Sequence, residues 1–108
     1  MKPTTSLAFF LTFFITSLVA SAEPVQNCNG IKSPVEKMIC QSADLTRLEK
    51  KLIDVYTDAI KKSDTAQIER LKRGHLKWKK ARNQCTNNDC IHSHIMDRIT
   101  ALDRYLKN

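Results

Sequence analysis

Four cysteines have the most readily assigned chemistry in this sequence. Eleven residues separate Cys28 from Cys40, and four separate Cys85 from Cys90. An even number of cysteines in a short exported chain predicts two disulfides, and the N-terminus described below indicates export. Three pairings are open, and the spacing favours Cys28–Cys40 with Cys85–Cys90 because each pair flanks a predicted helix boundary. Neither gap has the usual spacing of zinc ligands, so we expect no structural zinc.

A second group of chemically active side chains is a run of cations around the only tryptophan. Residues 72–82 read KRGHLKWKKAR and hold six Lys or Arg residues about Trp78. In a cytosolic protein this composition would suggest nucleic-acid binding. In an exported protein we expect a protein partner or an anionic envelope component instead, with Trp78, Arg82, Lys79 and Lys77 as the candidate contact residues. The competing interpretation is a solvated helix face for the lysines and a core position for Trp78.

Arg82 falls on the same predicted helix face as Trp78 and Cys85. It is therefore either a buried cation that needs a carboxylate such as Glu36, or an exposed contact residue. The paired interpretation is favoured because buried charges rarely lack a partner.

No catalytic or metal-binding constellation stands out among the remaining residues. His92 and His94 are two apart, hence on different faces of a helix, and His75 lies on another helix. The sequence shows no Ser/His/Asp order, no phosphate-cradling Gly loop and no paired catalytic acids, and a helix cap accounts for Glu36. We therefore expect a binding protein that is not an enzyme and uses no cofactor or metal.

The N-terminus has the pattern of a signal peptide. Lys2 precedes an apolar stretch at residues 7–20, and residues 20–22 (ASA) supply the small side chains that signal peptidase recognises. The stretch is shorter than the roughly 20 apolar residues of a membrane span. We predict cleavage after Ala22, a signal peptide at residues 1–22, and no membrane-spanning segment. No cysteine follows closely, so no lipid anchor is expected.

Cleavage there leaves residues 23–108 as one small domain in the periplasm or outside the cell. The chain has 18 Lys and Arg residues and 11 Asp and Glu residues, and only Lys2 lies in the signal peptide, so residues 23–108 carry a formal charge of +6. A chain this short buries only about 60–65% of its unfolded surface, so covalent links contribute much of its stability.

The patterning predicts an all-α fold, a small bundle of about four helices with two local disulfides. The segment from Ser33 to Glu36 (SPVE) matches a capping box, in which Ser33 caps a short helix and Glu36 reaches back to the cap amide. This helix ends near Cys40.

Three longer helices are predicted at about residues 42–62, 64–85 and 88–108, each with an inward line at steps of three and four. The inward lines of the second and fourth predicted helices are apolar, whereas the later part of the line of the third helix is polar. The line of the second helix consists of Leu45, Leu48, Leu52, Val55, Tyr56, Ala59 and Ile60. That of the third consists of Ile68, Leu71, His75, Trp78, Arg82 and Cys85, and that of the fourth of Ile91, Ile95, Ile99, Leu102 and Leu106.

These motifs together resemble the lysozyme inhibitor LprI-like N-terminal domain, a family of small exported bacterial domains. The resemblance covers nearly all of residues 23–108 and rests on the paired-cysteine frame with the spacing Trp78-x3-Arg82-x2-Cys85. The other matching positions are Cys28, Ser33-Pro34-Val35-Glu36, Ile39-Cys40, Leu45, Leu48, Leu52, Tyr56, Cys90, Arg98-Ile99 and Leu102. The family implies an all-helical fold with local disulfides, and its named activity is inhibition of lysozyme.

The sequence therefore predicts an exported binding protein, and the resemblance implies a location in the bacterial envelope and inhibition of lysozyme or a related cell-wall hydrolase. Lysozyme cleaves glycosidic bonds with two carboxylates in a cleft, so an inhibitor must occlude that cleft and offer partners to those acids. Two other functions fit the same features. One is an immunity protein against a periplasmic toxin, and the other is a basic module that binds anionic envelope components.

Overall fold

The described part of the chain forms a bundle of four helices. A computed structural model describes Pro3 and residues 27–108, so the signal peptide expected at residues 1–22, Pro3 apart, lies outside the described residues. The helices are α1 (Pro34–Gln41), α2 (Ala43–Lys61), α3 (Thr65–Arg82) and α4 (Asn88–Lys107). No strand occurs among the described residues, which confirms the all-α class.

Each helix begins after a polar residue whose side-chain oxygen accepts a hydrogen bond from the backbone N–H three residues later. The four cap residues are Ser33, Ser42, Asp64 and Asn87. At Asp64 the side-chain oxygen of Gln67 in turn accepts a bond from the cap N–H, which completes a capping box. Such a cap satisfies an otherwise unpaired N–H and contributes about 1 kcal/mol, which is why the helix starts are as predicted.

The end of α3 differs from the prediction. The helix stops at Arg82 rather than at Cys85, and the chain turns through residues 83 and 84. The Cys85 N–H then donates to the Arg82 carbonyl at 3.0 Å. The turn lets Cys85 approach Cys90 in the first turn of α4, with a Cα–Cα distance of 5.5 Å, which a disulfide requires.

The core lies between α2 and α4, which pack along each other, while α1 covers one part of this pair and α3 packs mainly on α4. The predicted stripes of α2 and α4 face this core. Its buried apolar residues are Val35, Ile39, Leu45, Leu52, Ala59, Cys85, Ile91, Ile95, Ile99 and Leu102. Each large aliphatic side chain among them stabilises the fold by about 1.5–3 kcal/mol relative to exposure.

The helix α3 is peripheral. Its only fully buried residue is Arg82, whereas Ile68, Leu71, His75 and Trp78 are half-buried. Because α3 gives so little apolar surface to the core, most of its length is exposed on one side.

Both disulfides have the pairing that the spacing favoured. Cys28 bonds to Cys40, and Cys85 bonds to Cys90. The first bond attaches the segment before α1 to the end of that helix, and the second closes the connection between α3 and α4. Among the described residues, no helix is both long and apolar enough to cross a membrane.

Candidate functional site

Arg82 is the centre of a buried polar cluster. Its side chain is 2% exposed, and its Nη2 donates to Glu36 Oε1 at 2.5 Å. Its Nη1 lies 3.6 Å from Glu49 Oε1, and the Asn83 side-chain oxygen accepts from Nε at 3.3 Å and from Nη2 at 2.9 Å. The pairing of Arg82 with Glu36 is the interpretation that the sequence favoured, and it leaves the guanidinium inaccessible to a partner.

Glu36 does not complete the capping box expected at α1. The cap itself forms, because Ser33 Oγ accepts from the Glu36 N–H at 3.5 Å. The Glu36 carboxylate binds Arg82 across the bundle instead of the Ser33 N–H, and Lys79 Nζ lies 3.8 Å from it. A charge-assisted bond to a buried guanidinium stabilises the fold more than a second bond at a half-exposed helix start.

Glu49 shares the guanidinium with Glu36. Burial raises the pKa of Glu49, and the neighbouring negative charge of Glu36 raises it further. The cations Arg82 and Lys79 oppose both effects. The cluster therefore holds two carboxylates near one buried cation and one half-exposed lysine, an arrangement that balances charge across α1, α2 and α3.

Trp78 connects α3 to α4. Its ring is half-buried against the core, and its Nε1 donates to the His94 carbonyl at 2.8 Å. The Arg82 guanidinium carbon lies 5.4 Å from the ring centroid, within the range of a cation–π contact. Because its polar atom is already bonded within the protein, Trp78 holds the two helices together and offers only part of its ring to a partner.

His75 is half-buried in a positively charged environment. Its ring stacks on Tyr56 with centroids 4.3 Å apart, and its Nδ1 is buried without a hydrogen-bond partner, as is Arg98 Nε. Burial lowers the pKa of His75 to about 4, with further contributions from Arg98, Lys79 and Arg82. His75 is therefore neutral at physiological pH.

One group of side chains has the composition of a metal site. Ligand atoms of Cys85, Cys90 and His94 lie within 4.8 Å of one another. The two sulfurs are joined in a disulfide and provide no thiolate ligand. His92 and His75 lie outside this group, so it offers one imidazole to a metal while the disulfide is intact.

The four candidate contact residues do not form one surface. Lys77 and Lys79 are exposed on α3, whereas Trp78 is half-buried and Arg82 is buried. The exposed side of α3 also carries Leu76, which is 63% exposed. Leu76 is recognisable from the sequence as an apolar residue outside the inward line of its helix, but it is not among the four predicted contact residues.

The charge of the chain is concentrated on this helix. Seven Lys or Arg residues and one acidic residue, Glu69, lie in α3, a formal charge of +6. The remainder of the full chain holds 11 basic and 10 acidic residues. Six of these seven cations, all but the buried Arg82, are exposed, so the exposed part of α3 is a strongly basic surface on an otherwise almost neutral molecule.

Comparisons of the chain with models of known protein families, with curated proteins and with solved structures find no match. The resemblance to the LprI-like domain stays a prediction from the motifs quoted above.

Proposed function

We propose that this chain is an exported binding protein of the bacterial envelope that inhibits lysozyme or a related cell-wall hydrolase through the exposed side of α3. The observation that carries the proposal is the exposed Leu76 among the cations of a helix with a formal charge of +6. The resemblance of the motifs to the LprI-like domain supports the choice of partner, and the pattern of residues 1–22 supports export.

The chemistry of this surface suits an acidic cleft. Glycoside hydrolases of the lysozyme type place two carboxylates on either side of the bond that they cleave. The amines of Lys77 and Lys80, one turn apart on the side of α3 that carries Leu76, can approach such carboxylates, and Leu76 adds an apolar side chain whose burial stabilises a complex. In this proposal Trp78 and Arg82 act indirectly, because they hold α3 in place.

The covalent frame supports a role outside the cytoplasm. Both disulfides close short segments of a small domain, and such bonds persist in oxidising compartments such as the periplasm. We accordingly propose a periplasmic or secreted location and a binding function without catalysis.

The test is a lysis assay with labelled cell wall, animal and bacterial lysozymes, and the oxidised protein in excess. We expect slower lysis with the wild-type protein and at least a tenfold weaker effect with Leu76→Asp, which places a carboxylate among the lysines. Met96→Asp is the matched control, because Met96 is also an exposed apolar residue. It lies two residues from Arg98, which faces α3, and therefore on the other side of α4.

Unchanged lysis by every lysozyme at excess protein would refute the proposal. Equal inhibition by the Leu76→Asp and Met96→Asp variants would place the contact surface away from α3. Circular dichroism of both variants shows whether each retains its helices.

A further inference from the structure

Four of the α3 cations form a straight line along the exposed side of the helix. Arg70, Arg73, Lys77 and Lys80 follow one another at steps of three, four and three residues, and all four are exposed. Residues at these steps lie one above the other on a helix, about 5–6 Å apart. The line, called here the α3 stripe, spans ten helical steps, or about 15 Å.

The α3 stripe has no partner within the described part of the protein. Each ion pair found there involves another cation, either Arg47, Lys79 or Arg82. Glu69, the single acid of α3, is four residues before Arg73. No carboxylate oxygen of the described residues lies within 4.0 Å of a stripe cation's nitrogen. The positive charge of the stripe is therefore available to an external anion.

Such an arrangement does not stabilise the helix itself. Like charges three or four residues apart destabilise a helix, and the stripe contains three successive pairs of this kind. Solvated helix faces in small proteins ordinarily mix both signs of charge, as α2 does with four acids and four exposed cations. An anionic ligand that binds along the stripe would remove the repulsion between its cations, which accounts for a line of like charges on this helix.

We propose that the α3 stripe binds a linear polyphosphodiester of the bacterial envelope, with one phosphate near each cation. The line of regularly spaced single charges matches a chain that bears one negative charge per short repeat. The guanidinium groups of Arg70 and Arg73 suit phosphate oxygens, which they bind in a bidentate manner. This binding goes beyond the proposed inhibition of a hydrolase and does not depend on it.

A polymer fits the surroundings of the stripe better than a lipid bilayer. The opposite side of α3 packs on α4, where Trp78 donates to the His94 carbonyl and Arg98 Nη2 donates to the Leu71 carbonyl at 3.5 Å. The helix therefore has no free apolar side to insert between lipids, as interfacial helices do.

The surroundings also favour a polyphosphodiester over a nucleic acid. Single-stranded nucleic acids are held partly by bases that stack on exposed aromatic rings. Among the described residues the aromatic side chains of Tyr56, Trp78 and Tyr105 are all half-buried, and none lies in the stripe. The stripe offers charge alone.

The test is a titration of the oxidised protein with a synthetic poly(glycerol phosphate) chain, without any hydrolase, at 50 and 200 mM salt. Four phosphate contacts on a flexible polyanion predict that log Kd rises by roughly 3 for each tenfold increase in salt, or about 50-fold weaker binding across this range. The two proposals fail separately, because inhibition of the hydrolase can also be measured on a soluble oligosaccharide substrate that carries no phosphate, which this titration does not involve.

A pair of charge-matched variants locates the binding surface. Lys77→Gln with Lys80→Gln removes two stripe cations, so we expect roughly half the salt dependence and about tenfold weaker binding at 50 mM salt. Lys50→Gln with Lys51→Gln removes two exposed cations of α2 and should leave both quantities unchanged. Equal weakening by both variants, or no effect of salt, would overturn the proposal.

Equal or tighter binding to single-stranded DNA of matched charge would assign the stripe to nucleic acid, and tighter binding to vesicles of anionic phospholipid would assign it to a membrane surface.

Discussion

At the level of single residues, Arg82 is the buried charged side chain whose interactions with its neighbours matter most for the fold. A buried guanidinium needs both charge compensation and hydrogen bonds, which here come from Glu36, Glu49 and Asn83. The three partners belong to α1, α2 and the turn after α3. Arg82 therefore specifies how these elements meet, although the ion pairs themselves add little net stability over an apolar core.

Removal of the Glu36 charge tests this role. In Glu36→Gln, Arg82 keeps Glu49 at 3.6 Å but loses its closest anion, so we expect a loss of about 2–3 kcal/mol in the free energy of unfolding. Urea unfolding measures the loss. Glu69→Gln removes the same charge from an exposed position and should change stability by less than about 0.5 kcal/mol. Similar results for the two variants would contradict the structural role of the pair.

His75 predicts a dependence of stability on pH. Its pKa is about 4 in the folded protein and 6.5 when exposed, so only the unfolded chain takes up a proton as the pH falls between these values. Stability must therefore decrease from pH 6.5 towards pH 4, by about 1–2 kcal/mol once solvent screening is allowed for.

The matched variants are His75→Phe, which keeps the ring but cannot titrate, and His92→Phe at an exposed position. Urea unfolding at pH 7 and pH 4.5 should show a smaller pH effect in His75→Phe than in the wild type. His92→Phe should retain the full effect. The same pH effect in all three proteins would show that another group is responsible.

At the level of elements, the helix starts were predictable because a cap is a local interaction. Ser33, Ser42 and Asp64 each bond to a backbone N–H three residues away, so the pattern is visible in the sequence. The end of α3 and the failure of Glu36 to bond the Ser33 N–H were not predictable in this way, although the pairing of Glu36 with Arg82 was. Both depend on contacts between different elements, namely the approach of Cys85 to Cys90 at the start of α4 and of Glu36 in α1 to Arg82 in α3.

The basic segment shows the same limit. Its composition was evident from the sequence, but which of its residues reach solvent depends on the rotation of α3 against α4. The bond from Trp78 to the His94 carbonyl sets this rotation, and it leaves Lys77 exposed while Arg82 is buried. The inward line predicted for α3 agrees with this rotation, but the sequence left open whether its half-polar members Trp78 and Arg82 pack inward or contact a partner.

Gly74 provides a test of α3 as an element. A glycine within a helix destabilises it by about 0.5–1 kcal/mol relative to alanine. A Cβ at this position would lie 3.7 Å from Arg98 Nη1, an ordinary contact distance. We therefore expect Gly74→Ala to raise the free energy of unfolding by about 0.5–1 kcal/mol, and Ala81→Gly, at an exposed position of α3, to lower it. Destabilisation by Gly74→Ala would mean that Arg98 needs this space.

At the level of the whole molecule, stability and charge are located in different parts. The apolar core lies mainly between α2 and α4, with α1 covering it, whereas the excess positive charge lies on α3. A helix that contributes little to the core can carry repelling charges at a small cost to the fold. This separation is what makes the exposed side of α3 the strongest candidate for binding.

The two disulfides compensate for this small core, and their removal should unfold the protein. The chain-entropy model gives about 3 kcal/mol for the loop closed by Cys28–Cys40 and about 2 kcal/mol for that closed by Cys85–Cys90. Together they approach the whole stability of a domain of this size, roughly 5–10 kcal/mol. Reduction with a dithiol at 37 °C should therefore abolish most of the helical circular dichroism signal, which the oxidised protein keeps at the same temperature. A reduced protein with an unchanged thermal midpoint would show that the packing of α2 on α4 suffices by itself.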